Sequence, residues 1–199
     1  MTPALPAPLA VVCHDAGAAQ LILPWLDPQP GAVQACMAGP AEALWRARFG
    51  SHGLVIGLDA ALDGAAMLLS GTSLVAGLEH LARVEAARLG LHSVAVVDHW
   101  VHYAARFQRD GQRQLPDEIW VCDAEAFALA QATFPGQDIR LQPNTHLREQ
   151  VERVAPSPDP NRRQAVLLLP EPAGCDWGRG QPGEEQALDF LIEHAQCLG

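Results

Sequence analysis

The sequence predicts an α/β fold: a doubly wound, Rossmann-like parallel sheet of about six or seven strands with helices on both faces. Two observations predict it. Short apolar runs recur along most of the chain, and each is followed by a segment with helical periodicity. The runs are apolar on both faces, which is typical of parallel strands buried between two layers of helices.

The apolar runs give the predicted strands. They are Leu9–Cys13, Val33–Met37, Leu54–Leu58, Ala66–Leu69, Val94–Val97, Ile119–Cys122, Ile139–Leu141 and Val166–Leu169. The predicted helices are Ala18–Leu26, Ala41–Phe49, Leu74–Leu89, Ala124–Phe134, Leu147–Val154 and Glu184–Gln196. The third helix has the strongest pattern. Leu74, Leu78, Leu81 and Leu89 mark one apolar face, Glu79 and Arg83 are spaced to pair across one turn, and Gly90 is a C-terminal cap.

A proline-rich segment divides the chain. Residues 155–163 contain three prolines between positions 156 and 160, which is typical of an extended linker. The sequence therefore predicts a Rossmann-like domain at 1–154, a linker at 155–163, and a C-terminal strand and helix at 164–199. Because the last 36 residues are too few to form a core alone, we expect them to pack on the main domain or on a second chain.

Composition restricts the possible functions. The net charge is −10, with 23 acidic and 13 basic residues, which argues against a nucleic-acid partner. All 13 basic residues are arginine. Without lysine, neither a Schiff base nor a Walker A phosphate loop can form. The five cysteines include no CxxC pair, no secretory signal is evident, and no apolar run is long enough to span a membrane. These features predict a reduced, cytoplasmic protein.

Polar residues follow three of the predicted strands, where open α/β sheets bind ligands. His14, Asp15 and Gly17 follow the first strand, where backbone amides could hold an anion. The alternative is that Asp15 caps the next helix and Gly17 permits a tight turn. After another strand, Gly71, Thr72 and Ser73 could bind phosphate or sugar oxygens. Here the alternative is helix capping by Thr72 or Ser73.

Asp98 and His99 directly follow a third buried strand and are the predicted catalytic residues, because this pair can perform acid–base chemistry near neutral pH. The alternative is that this stretch caps the next helix. Trp100 and Tyr103 could stack on a sugar or a base, but their spacing with Phe107 favours the core stripe of that helix. Asp117 and Glu118 precede a strand and are predicted to be structural, and Asp123 to cap a helix.

No metal and no cofactor is predicted. His14, Asp15, Asp98 and His99 could together approach a metal ion if their strands are close neighbours, but neither HExxH nor CxxC spacing supports such a site. A GxSxG nucleophile motif is also absent from the sequence.

The order of features in residues 9–154 resembles the N-terminal half of GT-B-type enzymes, which include bacterial glycosyltransferases and UDP-N-acetylglucosamine 2-epimerases. The matching motifs are HDAGAA at 14–19, SGTS at 70–73, VVDHW at 96–100 and LPDEIWVCD at 115–123. The chain looks most like members associated with bacterial surface-polysaccharide synthesis. The resemblance implies that this half carries the acceptor side and the catalytic base, and that residues 166–172 begin a donor-binding second half.

Three functional hypotheses follow. The first is a sugar-nucleotide-linked, glycosyltransferase-like or epimerase-like protein, acting alone or as one half of an active unit. Asp98 or His99 would be its base. Its partners would be a nucleotide sugar or a sugar acceptor, together with a second copy or another chain that supplies the second domain. The second is a non-catalytic nucleotide-sugar-binding or accessory domain, and the third is a small flavodoxin-like phosphatase or hydrolase using His14 and Asp15.

Overall fold

The computed structural model describes residues 3–26, 32–154, 176 and 180–194. The chain divides into two compact units, residues 1–154 and 155–199. The strands of the first unit are β1 (Leu9–Cys13), β2 (Val33–Met37), β3 (Met67–Ser70), β4 (Ser93–Val96), β5 (Gln108–Arg109), β6 (Gln112–Arg113), β7 (Glu118–Val121) and β8 (Asp138–Leu141). Its helices are α1 (Ala16–Ile22), α2 (Gly39–Phe49), α3 (Leu58–Leu62), α4 (Leu78–Leu89), α5 (Tyr103–Arg106), α6 (Ala124–Thr133) and α7 (Thr145–Arg153), with a 3₁₀ turn at Leu23–Trp25.

Six strands form one parallel sheet in the order β2-β1-β3-β4-β7-β8, and β5 pairs with β6 in a separate small hairpin. The chain runs from β1 outward to β2 and then returns to β3 on the other side of β1. The strand order therefore reverses between β1 and β3, and open α/β sheets bind ligands beyond the carboxyl ends of strands at such a point.

Both faces of the sheet are covered by helices. The odd-numbered residues of β1 pack in an apolar cluster with α1 and α2, and the even-numbered residues pack in another with α3 and α4. A third cluster joins β4 and β7 to α5 and α6. Alternate side chains point to opposite faces of a strand, so a strand that is apolar throughout is buried on both sides. The predicted doubly wound α/β fold is confirmed.

One predicted strand is wrong. Leu54–Leu58 forms no strand, because Leu54 makes only an isolated bridge with Ala35 and Leu58 already begins α3. Gly57 lies between them with φ at +92°, a conformation that interrupts extended backbone. An apolar run of this length cannot by itself distinguish a strand from a turn leading into a helix.

The predicted helix Leu74–Leu89 is shorter than expected, because α4 begins at Leu78. The Ser73 Oγ accepts the backbone N–H groups of Val75 and Ala76 at 3.2 and 3.0 Å. These bonds hold the segment before α4 as a turn, in the way that serine hydroxyls compete with helical hydrogen bonding.

The buried face of α4 also differs from the prediction. Of the four leucines predicted for the apolar face, Leu78 packs partly buried against the core, whereas Leu74, Leu81 and Leu89 are 39%, 55% and 52% exposed. The buried residues of the helix are instead Glu79, His80, Ala82, Arg83 and Ala86. The helix lies against loops whose backbone groups need hydrogen-bond partners, and polar side chains supply them.

The predicted linker at 155–163 and the predicted strand Val166–Leu169 lie outside the described residues. In the second unit the structure describes α8 (Gly183–His194), which covers the predicted helix Glu184–Gln196 as far as residue 194. Within the described residues, no helix combines the length and apolar character needed to cross a membrane.

Candidate functional site

The Asp98 carboxylate lies where three loops meet at the carboxyl edge of the sheet. Asp98 follows β4, yet it packs against Gly17 at the start of α1, across the end of the intervening strand β3. A Cβ atom at Gly17 would overlap the Asp98 Oδ2 and lie 2.8 Å from its Cγ. Glycine at position 17 therefore allows the backbone of α1 to approach the carboxylate.

A buried arginine holds Asp98 from the other side. The Arg106 Nη1 donates to the Asp98 Oδ1 at 3.4 Å and to the Thr72 carbonyl oxygen at 2.9 Å. Its Nε donates to the Val101 carbonyl oxygen at 3.2 Å. Arg106 thus joins the loops that follow β3 and β4 and orients the carboxylate between them. Arg106 was not among the predicted site residues, because an arginine among alanines is usually solvent-exposed.

Two buried side chains of α4 fix the neighbouring loops. Arg83 donates to the Gly71 carbonyl oxygen at 3.0 Å and to the Arg106 carbonyl oxygen at 3.3 Å. The Glu79 Oε1 accepts the backbone N–H of His14 at 2.8 Å. Glu79 and Arg83 were predicted to pair with each other, and each is instead hydrogen-bonded to a loop.

Burial changes the titration of both side chains. Desolvation raises the pKa of Glu79 above its ordinary value, although the hydrogen bond from the His14 backbone partly opposes it. Desolvation also lowers the pKa of Arg83 to about 10, which leaves it charged at neutral pH.

His14 and Asp15 form a pair on the β2 side of this region. The His14 Nδ1 lies 2.7 Å from the Asp15 Oδ1, and both side chains are partly exposed. Asp15 occupies the N-cap position of α1, but its side chain makes no capping hydrogen bond. The His14 ring lies against Gly39, where a Cβ would be 2.7 Å from its Nε2.

The hydroxyl groups after β3 are occupied within the protein. The buried Thr72 Oγ1 donates to the Val96 carbonyl oxygen at 3.1 Å, and the Ser73 Oγ accepts the two backbone N–H groups before α4. A Cβ at Gly71 would lie 3.0 Å from the Ala18 Cβ, so this glycine permits close packing against α1. These contacts hold the loop beside the Asp98 carboxylate.

A cleft of about 210 Å³, here called the Asp98 cleft, opens beside this carboxylate. Of the residues predicted as the site, Gly17, Asp98 and His99 line it. The others do not: His14, Asp15, Gly71, Thr72 and Ser73. The remaining polar lining comes from Gln20, Trp100, Asp123, Asn144 and His146.

Trp100 forms one wall of the Asp98 cleft and is 56% exposed. Its Nε1 donates to both carboxylate oxygens of Asp123 at 3.1 and 3.0 Å. The predicted core stripe therefore holds for Tyr103 and Phe107, which are buried, and is wrong for Trp100. The indole is exposed because its N–H binds the carboxylate that also caps α6 through the Ala126 N–H at 2.7 Å.

Comparison of the chain with protein-family models, curated proteins and solved structures gives no significant match. The function is therefore inferred from the chemistry of the site.

The chemistry of the Asp98 cleft suits a neutral, hydroxyl-rich ligand. Its lining contains two carboxylates, two imidazoles and two carboxamides, but no arginine side chain. Carboxylates accept hydrogen bonds from hydroxyl groups, and the exposed indole offers an apolar ring face for stacking. Among the described residues, no group of three or more His, Cys, Asp or Glu side chains is arranged to hold a metal ion.

Proposed function

We propose that the chain is a sugar-nucleotide-linked, glycosyltransferase-like or epimerase-like protein of polysaccharide synthesis. The Asp98 cleft binds a sugar ring, and Asp98 is the base that accepts a proton from the sugar. The observation that carries the proposal is the placement of Asp98. Its carboxylate is fixed between Gly17 and Arg106 beside a cleft with hydrogen-bonding groups, an exposed indole and no lining arginine.

Asp98 is favoured over His99 as the base by the hydrogen bonds of the imidazole. The His99 Nδ1 accepts the backbone N–H of Trp100 at 3.0 Å. A neutral ring with this acceptor carries its proton on Nε2 and acts as a donor rather than a base. His99 would then donate to a sugar oxygen while Asp98 accepts the proton of a hydroxyl group in transfer, or of a carbon in epimerisation.

The size of the Asp98 cleft suits one ring. Its volume of about 210 Å³ is below the roughly 300 to 1,000 Å³ of pockets that enclose drug-sized ligands. A single monosaccharide is therefore a better match than a complete nucleotide sugar, whose remaining part would extend beyond the cleft.

The substitution Asp98→Asn tests the proposal. Consumption of UDP-, GDP- and CMP-sugars, with and without monosaccharide acceptors, would be followed by anion-exchange chromatography, and sugar binding by NMR titration. We expect turnover to fall about 100-fold or more, because acid–base catalysis contributes that much, while the melting temperature stays nearly unchanged. The matched control is Asp63→Asn, an exposed carboxylate before β3 at the opposite end of the sheet.

Full turnover by Asp98→Asn would contradict the role of Asp98 as the base. A large loss of stability would instead indicate that the carboxylate is structural. If the wild-type protein bound sugars but consumed no nucleotide sugar under any condition, the accessory-domain hypothesis would replace the catalytic one.

A further inference from the structure

A second concavity adjoins the Asp98 cleft. It has a volume of about 390 Å³ and is here called the Arg48 groove. Apolar and small side chains from the 3₁₀ turn after α1 and from α2 line it, together with Gln20 of α1 and residues of α7, and Arg48, Glu149 and Arg153 provide its charged groups. Gln20 and His146 line both the groove and the cleft, so one ligand could occupy the two together.

The Arg48 groove carries a positive charge that the cleft lacks. Arg48 donates two parallel hydrogen bonds to the Glu149 carboxylate, both at 3.0 Å. The hydrogen bond from Arg48 lowers the pKa of Glu149, and the charges of Arg48, Arg153 and His146 lower it further. The lining of the groove thus contains two permanent cations and an imidazole but one carboxylate, in a chain whose net charge is −10.

We propose that the Arg48 groove binds the phosphate of a ligand whose sugar ring occupies the Asp98 cleft, so that the substrate class is a glycosyl phosphate with an apolar or aromatic group beyond the phosphate. The sugar end of this proposal rests on the proposed function. Arginine suits the phosphate because its planar guanidinium binds phosphate oxygens in pairs. At Arg48 the phosphate would take the place of the Glu149 carboxylate, which now accepts both hydrogen bonds. The apolar side chains of the groove, which include Leu23, Pro24 and Leu44, suit a nucleoside base or a lipid chain.

Two classes of ligand combine a sugar, a phosphate and an apolar or aromatic group in this way: nucleotide sugars are the first source, and lipid-linked sugar phosphates are the second. The probes are therefore N-acetylglucosamine, its 1-phosphate, UDP, UDP-N-acetylglucosamine, and N-acetylglucosamine joined by a diphosphate to a short alkyl chain. Each is titrated into the full chain by calorimetry and by NMR. Tighter binding of the uridine compound would identify the first source, and tighter binding of the alkyl compound the second. Either result supports the proposal.

Arginine and carboxylate substitutions should act in opposite directions. In the double variant Arg48→Gln/Arg153→Gln, we expect the affinity for phosphate-bearing probes to fall at least about tenfold, because charge-assisted hydrogen bonds are lost. The affinity for the neutral sugar should be unchanged. In Glu149→Gln, we expect them to bind several-fold more tightly, because the competing carboxylate is removed. The single variant Arg153→Gln provides a milder test that leaves the Arg48–Glu149 pair intact.

The matched control is Arg46→Gln. Arg46 lies on the same helix as Arg48 and pairs with Glu42 in a similar way, but it does not line the groove. Equal affinity of the wild type and the double arginine variant for every phosphate probe would overturn the groove proposal alone. If the neutral sugar failed to bind while UDP still bound in an arginine-dependent way, the proposed function would fail and the phosphate site would stand.

Discussion

At the scale of one residue, the close contact between Gly17 and Asp98 can be tested by a single substitution. The substitution Gly17→Ala places a methyl group where the Asp98 carboxylate lies, so one of the two must move. We expect a destabilisation of about 1–3 kcal/mol, as for other overpacked sites, measured by urea unfolding. Sugar binding should weaken at the same time, because the moved carboxylate lines the cleft.

Gly77→Ala is the control for this substitution. A Cβ at Gly77 would lie 3.8 Å from its nearest neighbour, and its φ of −87° suits any residue. Its stability should therefore equal or slightly exceed that of the wild type, since alanine restricts the unfolded chain. If the two glycine variants behaved alike, the close approach of Gly17 to Asp98 would not be a constraint on the site.

Glu79 predicts a specific dependence of stability on pH. Its pKa is raised above 4.5 in the folded protein, mainly by burial, so the folded state holds the proton more tightly than the unfolded state. The free energy of unfolding should therefore fall as pH rises from about 4.5 through the raised pKa of the folded protein. The variant Glu79→Gln cannot titrate and should lack this decline.

The measurement is urea unfolding of both proteins at a series of pH values from below 4.5 to neutrality. A constant difference in unfolding free energy between the wild type and Glu79→Gln would report only the added amide donor of glutamine. The difference in unfolding free energy should shift in favour of Glu79→Gln as pH rises. A difference that is independent of pH would mean that Glu79 does not titrate abnormally.

At the scale of an element, α4 uses polar side chains where a helix packed on a sheet usually buries apolar ones. Arg83→Met removes hydrogen bonds to the Gly71 and Arg106 carbonyl oxygens and leaves these acceptors buried. Because each unsatisfied group costs about 1–3 kcal/mol, we expect a loss of at least about 2 kcal/mol in unfolding free energy.

Arg88→Met on the same helix is the control for Arg83→Met. Arg88 is exposed and pairs with Glu85 at the surface, so its loss should leave the stability nearly unchanged. Chemical denaturation of both variants measures the contrast. An Arg83→Met protein as stable as the wild type would show that the buried polar face of α4 is dispensable.

The same helix shows where sequence periodicity fails. Its leucines suggested the buried face, but periodicity records only the spacing of apolar residues and not the hydrogen-bonding needs of the loops that the helix contacts. Glu79 and Arg83 are buried because the loops after β1 and β3 present a backbone N–H and a carbonyl oxygen towards α4. Such needs depend on tertiary contacts and cannot be deduced from one segment.

At the scale of the whole molecule, the sheet was predictable because its strands are mostly apolar and alternate with helices. The position of Asp98 and His99 followed from one topological rule, that ligands bind beyond the carboxyl ends of parallel strands. The contribution of Asn144 and His146 to the cleft was not predictable, because the pairing of β7 with β8 brings their loop to Asp98 across 46 residues or more.

The division of the chain predicts that residues 1–154 fold alone. The three clusters of buried apolar residues lie wholly between Leu5 and Ile139, and the six-stranded sheet ends at Leu141. A protein truncated after residue 154 should therefore keep the helix and strand content of the first unit in circular dichroism and unfold cooperatively in urea.

All the residues that line the Asp98 cleft also lie in this unit, so the truncated protein should bind sugars as the full chain does. A fragment that folds cooperatively but has lost sugar binding would mean that residues beyond 154 complete the site. A fragment that does not fold would show that they complete the core.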